Sequence, residues 1–361
     1  MKSLKKLLCV ALSAMMILCL VACSTPKVAL TVDGKAYSTG EYLAYLMDTF
    51  QQMYYGGEQP LYAIAQQGMD VWAYTEEYEG KTLDLAAYMK EATIDNIVKQ
   101  KAIENMMAKE NVKADEDLVK NVQTQMLDVV DEDKLLSYGF NKESYTKMCM
   151  AVYCNYMSLF LARYDKDGTS PVPEKDIRQY FEDNYLSIKM ISEEMMADEK
   201  EMSKDEQAKV KKELQKYLDM YNSGKKTFNE VIAQYNYDTS TSSDKKLEKL
   251  TDEDTRQILE VKSYDDKDFT NAIKKIPEGK AELVTYKAGG DTLTAAIILR
   301  MDPEKGEGDA YKDVFKNNRE NILISIKGDT FDADIKKVAD ELKYEMNSSA
   351  YNMCDPRSFV Q

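Results

Sequence analysis

The side chains that usually carry enzyme chemistry are sparse in this sequence, which contains no histidine. A serine or cysteine nucleophile activated by histidine is therefore absent, and a zinc site lacks a credible set of ligands. Three of the six cysteines, Cys149, Cys154 and Cys354, lie outside the first 23 residues. Cys149 and Cys154 are five residues apart in a helical pattern, which turns them away from each other and predicts buried thiols rather than a disulfide. We expect no metal and no cofactor.

The first 23 residues indicate a different chemistry. Three lysines precede an apolar run from Leu7 to Val21, which is the pattern of a secretory signal and is too short for a membrane span. The sequence Leu-Val-Ala-Cys-Ser that follows resembles the bacterial lipobox. The resemblance implies cleavage before Cys23, acylation of that cysteine, and an extracytoplasmic chain that is lipid-anchored to the outer face of the bacterial cell membrane. The alternative is an ordinary signal peptide with a chance cysteine.

The charge balance restricts the partners. Lysine and arginine number 48 against 63 acidic residues, so the formal net charge is −15. A nucleic-acid-binding protein needs a basic face that replaces counterions, and no such cluster stands out after the leader. The sequence therefore argues against nucleic acid. Its 25 tyrosines and 21 methionines are instead suited to a surface that accepts many polypeptide sequences.

The chain after Cys23 begins with a predicted strand at Val28–Val32, a tight turn at Asp33 and Gly34, and a capping box from Ser38 to Glu41. A helix follows, and its apolar residues share one face. These residues are Leu43, Leu46, Met47 and Phe50. The segment from 54 to 81 is too long for a simple connection, so we expect part of it to be packed or functional.

Three further helices are predicted, from Leu83 to about Lys109, from Ala114 to Val130 and from Lys142 to Arg163. The third is apolar almost all round, so it is either buried or offers its surface to another molecule. The residues on this helix that we expect to contact another polypeptide are Tyr145, Met148, Tyr156, Met157 and Phe160.

A mixed pattern occupies the stretch from Ser187 to Met301. A short apolar strand opens it, two capped helices follow, and a hairpin with strands at Leu283–Lys287 and Leu293–Met301 closes it. Two more helices are predicted at roughly 310–324 and 331–346, and the C-terminus trails off from Asn347. Because the flanking segments are helical, the sequence predicts an α+β protein in which a small α+β domain is inserted into a helical body.

This order of elements resembles the PrsA-type foldase lipoproteins and the related periplasmic chaperone SurA. The segment from Val32 to Glu41 is similar to the start of that family. Gly224–Tyr235, with Phe228 near its centre, is similar to a helix of the parvulin-type peptidyl-prolyl isomerase domain in that family. The turn that follows in that domain is similar to Phe269, Ala272, Ile276 and Gly279 of this chain.

The resemblance implies a domain order and a class of partner. The domains are a lipoprotein signal peptide at 1–22, a helical chaperone domain at 23–173, a parvulin-like domain at 174–304, and C-terminal helices at 305–361 that pack on the N-terminal domain. The implied partners are unfolded or secreted polypeptides, and a homodimer is left open.

The sequence departs from the family where catalysis would occur. Parvulins carry one histidine at the end of the first strand and another on the last strand, and the corresponding positions here resemble Lys189 and Ala296. Prolyl isomerisation must lower a barrier of ~18–20 kcal/mol, and a hydrated lysine beside an alanine does not replace a histidine pair. We therefore expect a membrane-anchored chaperone without isomerase activity, with Phe269 as a candidate pocket wall. An active parvulin-type isomerase and a ligand-binding lipoprotein are the alternatives.

Overall fold

The computed structural model describes residues 26–56, 61–197, 200–262, 264, 266–306 and 308–359. Cys23 and the leader lie outside the described residues. The chain divides into two compact units, one formed by residues 26–171 with 327–359 and the other by Val172–Ile326. The fold class is α+β, as predicted, because the first unit is mainly helical and the second contains a four-stranded sheet. We call them the helical unit and the inserted unit.

The helical unit begins with strands β1 (Val28–Val32) and β2 (Lys35–Ser38). The turn residues between them, Asp33 and Gly34, have φ values of 46° and 77°, as the type I′ turn of a tight hairpin requires. The predicted capping box then begins helix α1 (Thr39–Tyr55). The Glu41 backbone N–H donates to Ser38 Oγ at 3.1 Å, and the Ser38 N–H donates to Glu41 Oε2 at 2.8 Å.

The rest of the N-terminal part is mainly helical. Its elements are α2 (Leu61–Gln66), β3 (Thr75–Tyr78), β4 (Lys81–Asp84), α3 (Leu85–Glu110), α4 (Glu116–Val122), α5 (Glu132–Ser137), α6 (Lys142–Cys149) and α7 (Tyr156–Tyr164). A π-helical segment at Met150–Asn155, the π turn, joins α6 to α7, so the helix predicted over Lys142–Arg163 is present with a wider turn at its centre. The helix predicted over residues 114–130 is shorter, because α4 and its π-helical continuation end at Leu127.

The segment from 54 to 81 is partly packed, as predicted. It contains α2, a 3-10 turn at Val71–Ala73, and strand β3, which pairs with β4. Val71 is buried, and the Trp72 ring centroid lies 6.3 Å from that of Phe50.

The inserted unit surrounds an antiparallel sheet with the strand order β8-β5-β10-β9. Its elements are α8 (Glu174–Asn184), β5 (Tyr185–Glu194), β6 (Met196–Ala197), β7 (Lys200–Glu201), α9 (Lys204–Asn222), α10 (Phe228–Thr239), α11 (Asp252–Thr255), β8 (Gln257–Glu260), α12 (Lys267–Lys275), β9 (Ala281–Ala288), β10 (Thr292–Met301) and α13 (Val314–Asn317). The predicted hairpin is therefore present as β9 and β10. One face of the sheet packs against α9 and α10, and the other packs against α12.

The inserted unit extends to Ile326, beyond the residue at 304 where the sequence places its end. The reason is side-chain packing within the unit. The Phe315 ring lies 5.4 Å from the ring of Phe181, and the Tyr311 hydroxyl donates to Asp252.

The C-terminal part contains α14 (Arg319–Ala339), β11 (Tyr344–Met346), α15 (Ser348–Met353) and a 3-10 turn at Pro356–Phe359. β11 pairs with β1, which gives a three-stranded sheet of order β11-β1-β2. The predictions of a helix to residue 346 and of a trailing C-terminus are both wrong. The helix ends at Ala339, and Ala350, Cys354 and Phe359 are buried in the core of the helical unit.

Candidate functional site

The structure does not bring Lys189 and Ala296 together. Lys189 on β5 lies opposite Leu299 on β10, whereas Ala296 on β10 lies opposite Ser192. Directly paired residues of a sheet point to the same face, and successive residues point to opposite faces. Lys189 therefore faces α9 and α10, while Ala296 faces α12. The expectation that these two positions form one degenerate catalytic pair does not fit this register.

Lys189 belongs to a buried polar network inside the inserted unit. The residue is 5% exposed, and its Nζ forms an ion pair with Asp252 and donates to Asn229 Oδ1 at 2.8 Å. The Asn229 side-chain amide donates to Asp252 Oδ1 at 2.7 Å, and Thr255 Oγ1 donates to Asn229 Oδ1 at 2.7 Å. Because buried charges require such partners, this network explains how a lysine is tolerated on an otherwise apolar face. It joins β5, α10, α11 and Tyr311.

The network determines the charge state of Asp252. Burial alone raises the pKa of this carboxyl, but hydrogen bonds from Lys189, Tyr311 and Asn229 outweigh burial and lower that pKa to about 2. Burial and the hydrogen bond to Asp252 raise the pKa of the Tyr311 hydroxyl to about 12. Asp252 is therefore ionised and Tyr311 protonated at neutral pH, so these two groups are suited to stabilising the fold and not to transferring protons.

Ala296 lies in an apolar cluster on the other face of the sheet. Phe269, Ile188 and Ile298 are buried around it, with Met190 and Tyr286 packed alongside. The Phe269 ring lies 4.9 Å from the Tyr286 ring, and the residue is 4% exposed. Phe269 therefore anchors α12 to the sheet. Of these side chains Tyr286 alone carries a titratable group, and burial raises the pKa of its hydroxyl to about 12, so none of them is charged at neutral pH.

The five residues predicted to contact a polypeptide differ in how far they are buried. Met148 and Phe160 are 2% and 0% exposed, so they are core residues and are not available as a surface. Phe160 is buried because its ring packs against Phe331 at a centroid distance of 5.3 Å. Tyr156 and Met157 are partly buried, and burial raises the pKa of the Tyr156 hydroxyl to about 12. Tyr145 is also partly buried, but it lines a groove.

This groove, which we call the aromatic groove, lies within the helical unit and has a volume of about 210 Å³. Its aromatic lining comes from four places in the chain: α1, the end of α5, α6 and the C-terminal 3-10 turn. The residues are Phe50, Tyr55, Tyr138, Tyr145 and Phe359. Small-molecule sites typically measure roughly 300–1,000 Å³, so the groove has room for a side chain of a bound polypeptide and not for a whole ligand of that kind.

The rings at the base of the aromatic groove pack against one another, and the ring of Tyr55 at its rim is exposed. Phe359 lies 5.7 Å from Phe50 and 5.6 Å from Tyr138 between ring centroids, so its base is closely packed. Tyr55 is 63% exposed at the rim and extends the aromatic surface to Tyr62, 5.8 Å away. An exposed aromatic ring beside a packed apolar base is typical of a binding surface.

Sequence reasoning missed most of this groove. Tyr55 is the last residue of α1, whereas the apolar face predicted for this helix ends at Phe50. The adjacent tyrosines Tyr54 and Tyr55 are the feature of the sequence that could have indicated an aromatic surface there. Phe359 could not be found, because residues after Asn347 carry no periodic pattern and reach the groove only through tertiary packing.

The cysteines offer no reactive thiol in the described part of the chain. Cys149, Cys154 and Cys354 are free and buried, which confirms the prediction for the first two. Burial raises the pKa of the Cys149 and Cys354 thiols to about 11, so both are protonated and unreactive at neutral pH. No described helix has the length and apolar character needed to cross a membrane.

No protein-family model and no curated protein matches the chain. Among solved structures, it is similar to the foldase protein PrsA from Streptococcus pneumoniae, with 13% identity over 77% of this chain and 97% of that one, at a TM-score of 0.37. PrsA from Lactococcus lactis matches with 14% identity over 93% and 98% of the two chains, at a TM-score of 0.32. A SurA-like chaperone structure from Campylobacter jejuni matches with 16% identity over 85% and 93%, at a TM-score of 0.19.

These solved structures belong to the same two groups of proteins that the sequence resembles. Their identities and TM-scores are too low to carry an activity from those proteins to this chain. The function must therefore rest on the residues of the chain itself.

Proposed function

We propose that this protein is an extracytoplasmic chaperone that holds segments of unfolded secreted polypeptides, is anchored to the membrane through Cys23, and lacks prolyl isomerase activity. The aromatic groove is the observation that carries the proposal. Its packed base and its exposed Tyr55 present apolar surface to solvent. An unfolded chain differs from a folded one by exposing apolar side chains, and such a groove can bury them.

The chemistry of the aromatic groove favours many sequences over one. Tyrosine rings offer large contact area at low entropic cost, and Met47 in the lining supplies a flexible thioether. Asp131 and Lys134 also line the groove, so it contains one charge of each sign and does not select clients by net charge. A solute receptor would need an enclosed site for one small molecule, which the groove does not provide.

Replacing Tyr55 with serine is expected to weaken the suppression of aggregation. The chaperone concentration that half-suppresses aggregation of a reduced, unfolded secretory protein should rise about fivefold, since truncating an aromatic contact costs on the order of 1 kcal/mol. Light scattering over a series of chaperone concentrations measures the effect. Tyr344→Ser is the matched control, because Tyr344 is 50% exposed and lies outside the aromatic groove.

Two results would contradict the chaperone proposal. The first is a wild-type protein that leaves aggregation unchanged at equimolar ratio. The second is an equal loss of suppression in the Tyr55→Ser and Tyr344→Ser variants, which would assign binding to general surface apolarity and not to the groove.

The protein is expected to leave prolyl isomerisation at its uncatalysed rate. Lys189 faces away from Ala296 and is held by Asp252, and the side chains in the cluster around Ala296 carry no charge. In a protease-coupled assay on a proline peptide, the slow phase should keep its time constant of tens to hundreds of seconds. A concentration-dependent acceleration would instead establish an active isomerase and remove this part of the proposal.

A further inference from the structure

A second concave site lies in the helical unit, beside strand β2. This site, which we call the β2 cleft, has a volume of about 500 Å³. Strand β2 forms one side of it through Lys35, Ala36 and Tyr37, and the π turn contributes Met150 and Asn155 to its lining. π-helical segments occur frequently at functional sites. The β2 cleft and the aromatic groove have no lining residue in common.

Strand β2 is an edge strand. The sheet order is β11-β1-β2, and no strand in the described part of the chain pairs with the outer side of β2. An edge strand presents backbone N–H and C=O groups that can bind another extended chain. Because Ala36 lines the β2 cleft together with its two neighbours, the cleft adjoins this edge.

The β2 cleft also contains a polar group that lacks its partner. Tyr37 is 3% exposed, and its hydroxyl has no hydrogen-bond partner among the described residues. Buried polar atoms are paired in the great majority of cases, so an exception calls for a missing partner. Burial raises the pKa of this hydroxyl, and the carboxylates of Glu104 and Glu41, which also line the cleft, raise the pKa further.

The charges of the cleft are balanced. Lys35 Nζ lies 2.7 Å from Glu104 Oε1, and Lys147 Nζ lies 3.4 Å from Glu41 Oε1. Each carboxylate of the lining therefore has a lysine beside it, and the cleft does not favour a ligand of either net charge. This balance suits a polypeptide main chain, whose amides are neutral hydrogen-bonding groups.

From these observations we propose that an extended segment of an unfolded polypeptide adds to the edge of β2 as a further strand and that it supplies the missing partner of the Tyr37 hydroxyl. Strand addition recognises main-chain amides and therefore accepts many sequences. The inference rests on the proposed chaperone function for the source of the segment. It adds a second binding mode, for backbone, to the binding of apolar side chains in the aromatic groove.

Strand addition is tested by measuring how tightly three capped peptides bind to the chain from Cys23 to Gln361. The first is a fluorescent decapeptide of alternating valine and threonine; the second is N-methylated at every other amide, and the third at every amide. The alternately methylated peptide keeps one hydrogen-bonding edge and should bind like the first peptide, within about threefold. The fully methylated peptide has no N–H donor and should bind at least about tenfold more weakly. Binding should also slow hydrogen exchange of the Ala36 amide, which points to the outer edge of β2, since the Ser38 N–H already donates to Glu41 Oε2.

A pair of protein variants locates the binding. Tyr37→Phe removes the unpaired hydroxyl, so peptide binding should weaken about threefold or more while the melting temperature stays equal or rises. Tyr42→Phe is the matched control, because Tyr42 is also buried but donates to the Lys90 carbonyl at 3.3 Å. This variant should bind the peptide as the wild type does.

Two outcomes would overturn the proposal. One is equal binding of the unmethylated and fully methylated peptides, which would show recognition of side chains alone. The other is a dimer, detected by sedimentation, that occupies β2 and that the peptide does not dissociate. Aggregation suppression is measured on the same preparation. If suppression is intact while the peptide tests fail, strand addition is wrong and the chaperone proposal stands.

Discussion

Replacing Lys189 with methionine is expected to lower the free energy of unfolding of the inserted unit by about 3 kcal/mol, the lower end of the range for breaking a buried ion pair. The side chain of Lys189 is 7% exposed, and methionine fills a similar volume without supplying a charge. Asp252 would then keep a partly buried carboxylate with only its neutral donors, Asn229 and Tyr311. Hydrogen exchange of the β5 and β10 amides measures the loss.

Two further variants separate the ion pair from a general effect of removing lysine. Lys287→Met removes an exposed lysine that pairs with Glu201 at 3.1 Å, and it should cost no more than about 1 kcal/mol. The double variant Lys189→Met with Asp252→Leu should recover more than half of the loss, since it removes the unpaired carboxylate. A Lys189→Met variant as stable as wild type would show that the network does not stabilise the sheet.

The same network predicts how stability depends on pH. The pKa of Asp252 is about 2 in the folded protein, below the ordinary value of about 3.9 for an unfolded chain. A depressed carboxyl pKa contributes stability that is complete above about pH 5 and is lost as the pH falls toward 2. Lys189→Met should flatten this part of the profile, because the carboxylate loses the partner that lowers its pKa. Parallel profiles of the two proteins between pH 5 and pH 2 would contradict the assignment.

Replacing Phe331 with alanine is expected to destabilise the helical unit by about 3–5 kcal/mol. Phe331 lies on α14 and is fully buried, with its ring centroid 5.0 Å from that of Tyr156 and 5.3 Å from that of Phe160. The truncation would leave a cavity where α14 packs on α7. Trp72, the only tryptophan, lies in this unit, so its fluorescence during urea unfolding reports the change.

The conservative variant Phe331→Leu should cost less than half as much, because it keeps most of the apolar volume. Phe331→Ala should also weaken aggregation suppression, since the C-terminal segment after α14 supplies Phe359 to the aromatic groove. Suppression that is unchanged in a destabilised Phe331→Ala protein would show that client binding does not depend on the packing of α14 against α7.

Local patterns in the sequence were sufficient for elements whose bonds join near neighbours. The Asp33-Gly34 turn, the capping box at Ser38 and the β9–β10 hairpin all occur where predicted. Each depends on residues a few positions apart, and the backbone conformation or side-chain hydrogen bond is set locally. The α+β class and the insertion follow from the order of such elements.

The register of the central sheet could not be determined in the same way. β5 is apolar on both faces because both are covered by helices, so its sequence does not show which way Lys189 points. A shift of one residue moves a side chain to the other face. Only the pairing of Lys189 with Leu299 places it in the network with Asp252, away from Ala296.

The sequence by itself therefore determined the kind of protein: a chain with a lipobox-like leader, without histidine chemistry, and with an α+β unit inserted into a helical body. The tertiary structure decided which side chains are exposed and can bind another polypeptide. Burial assigned Met148 and Phe160 to the core, and packing of the C-terminal segment brought Phe359 against Phe50 to form the aromatic groove. Helical periodicity identifies an apolar face, but whether that face meets the protein or another chain depends on contacts between residues far apart in sequence.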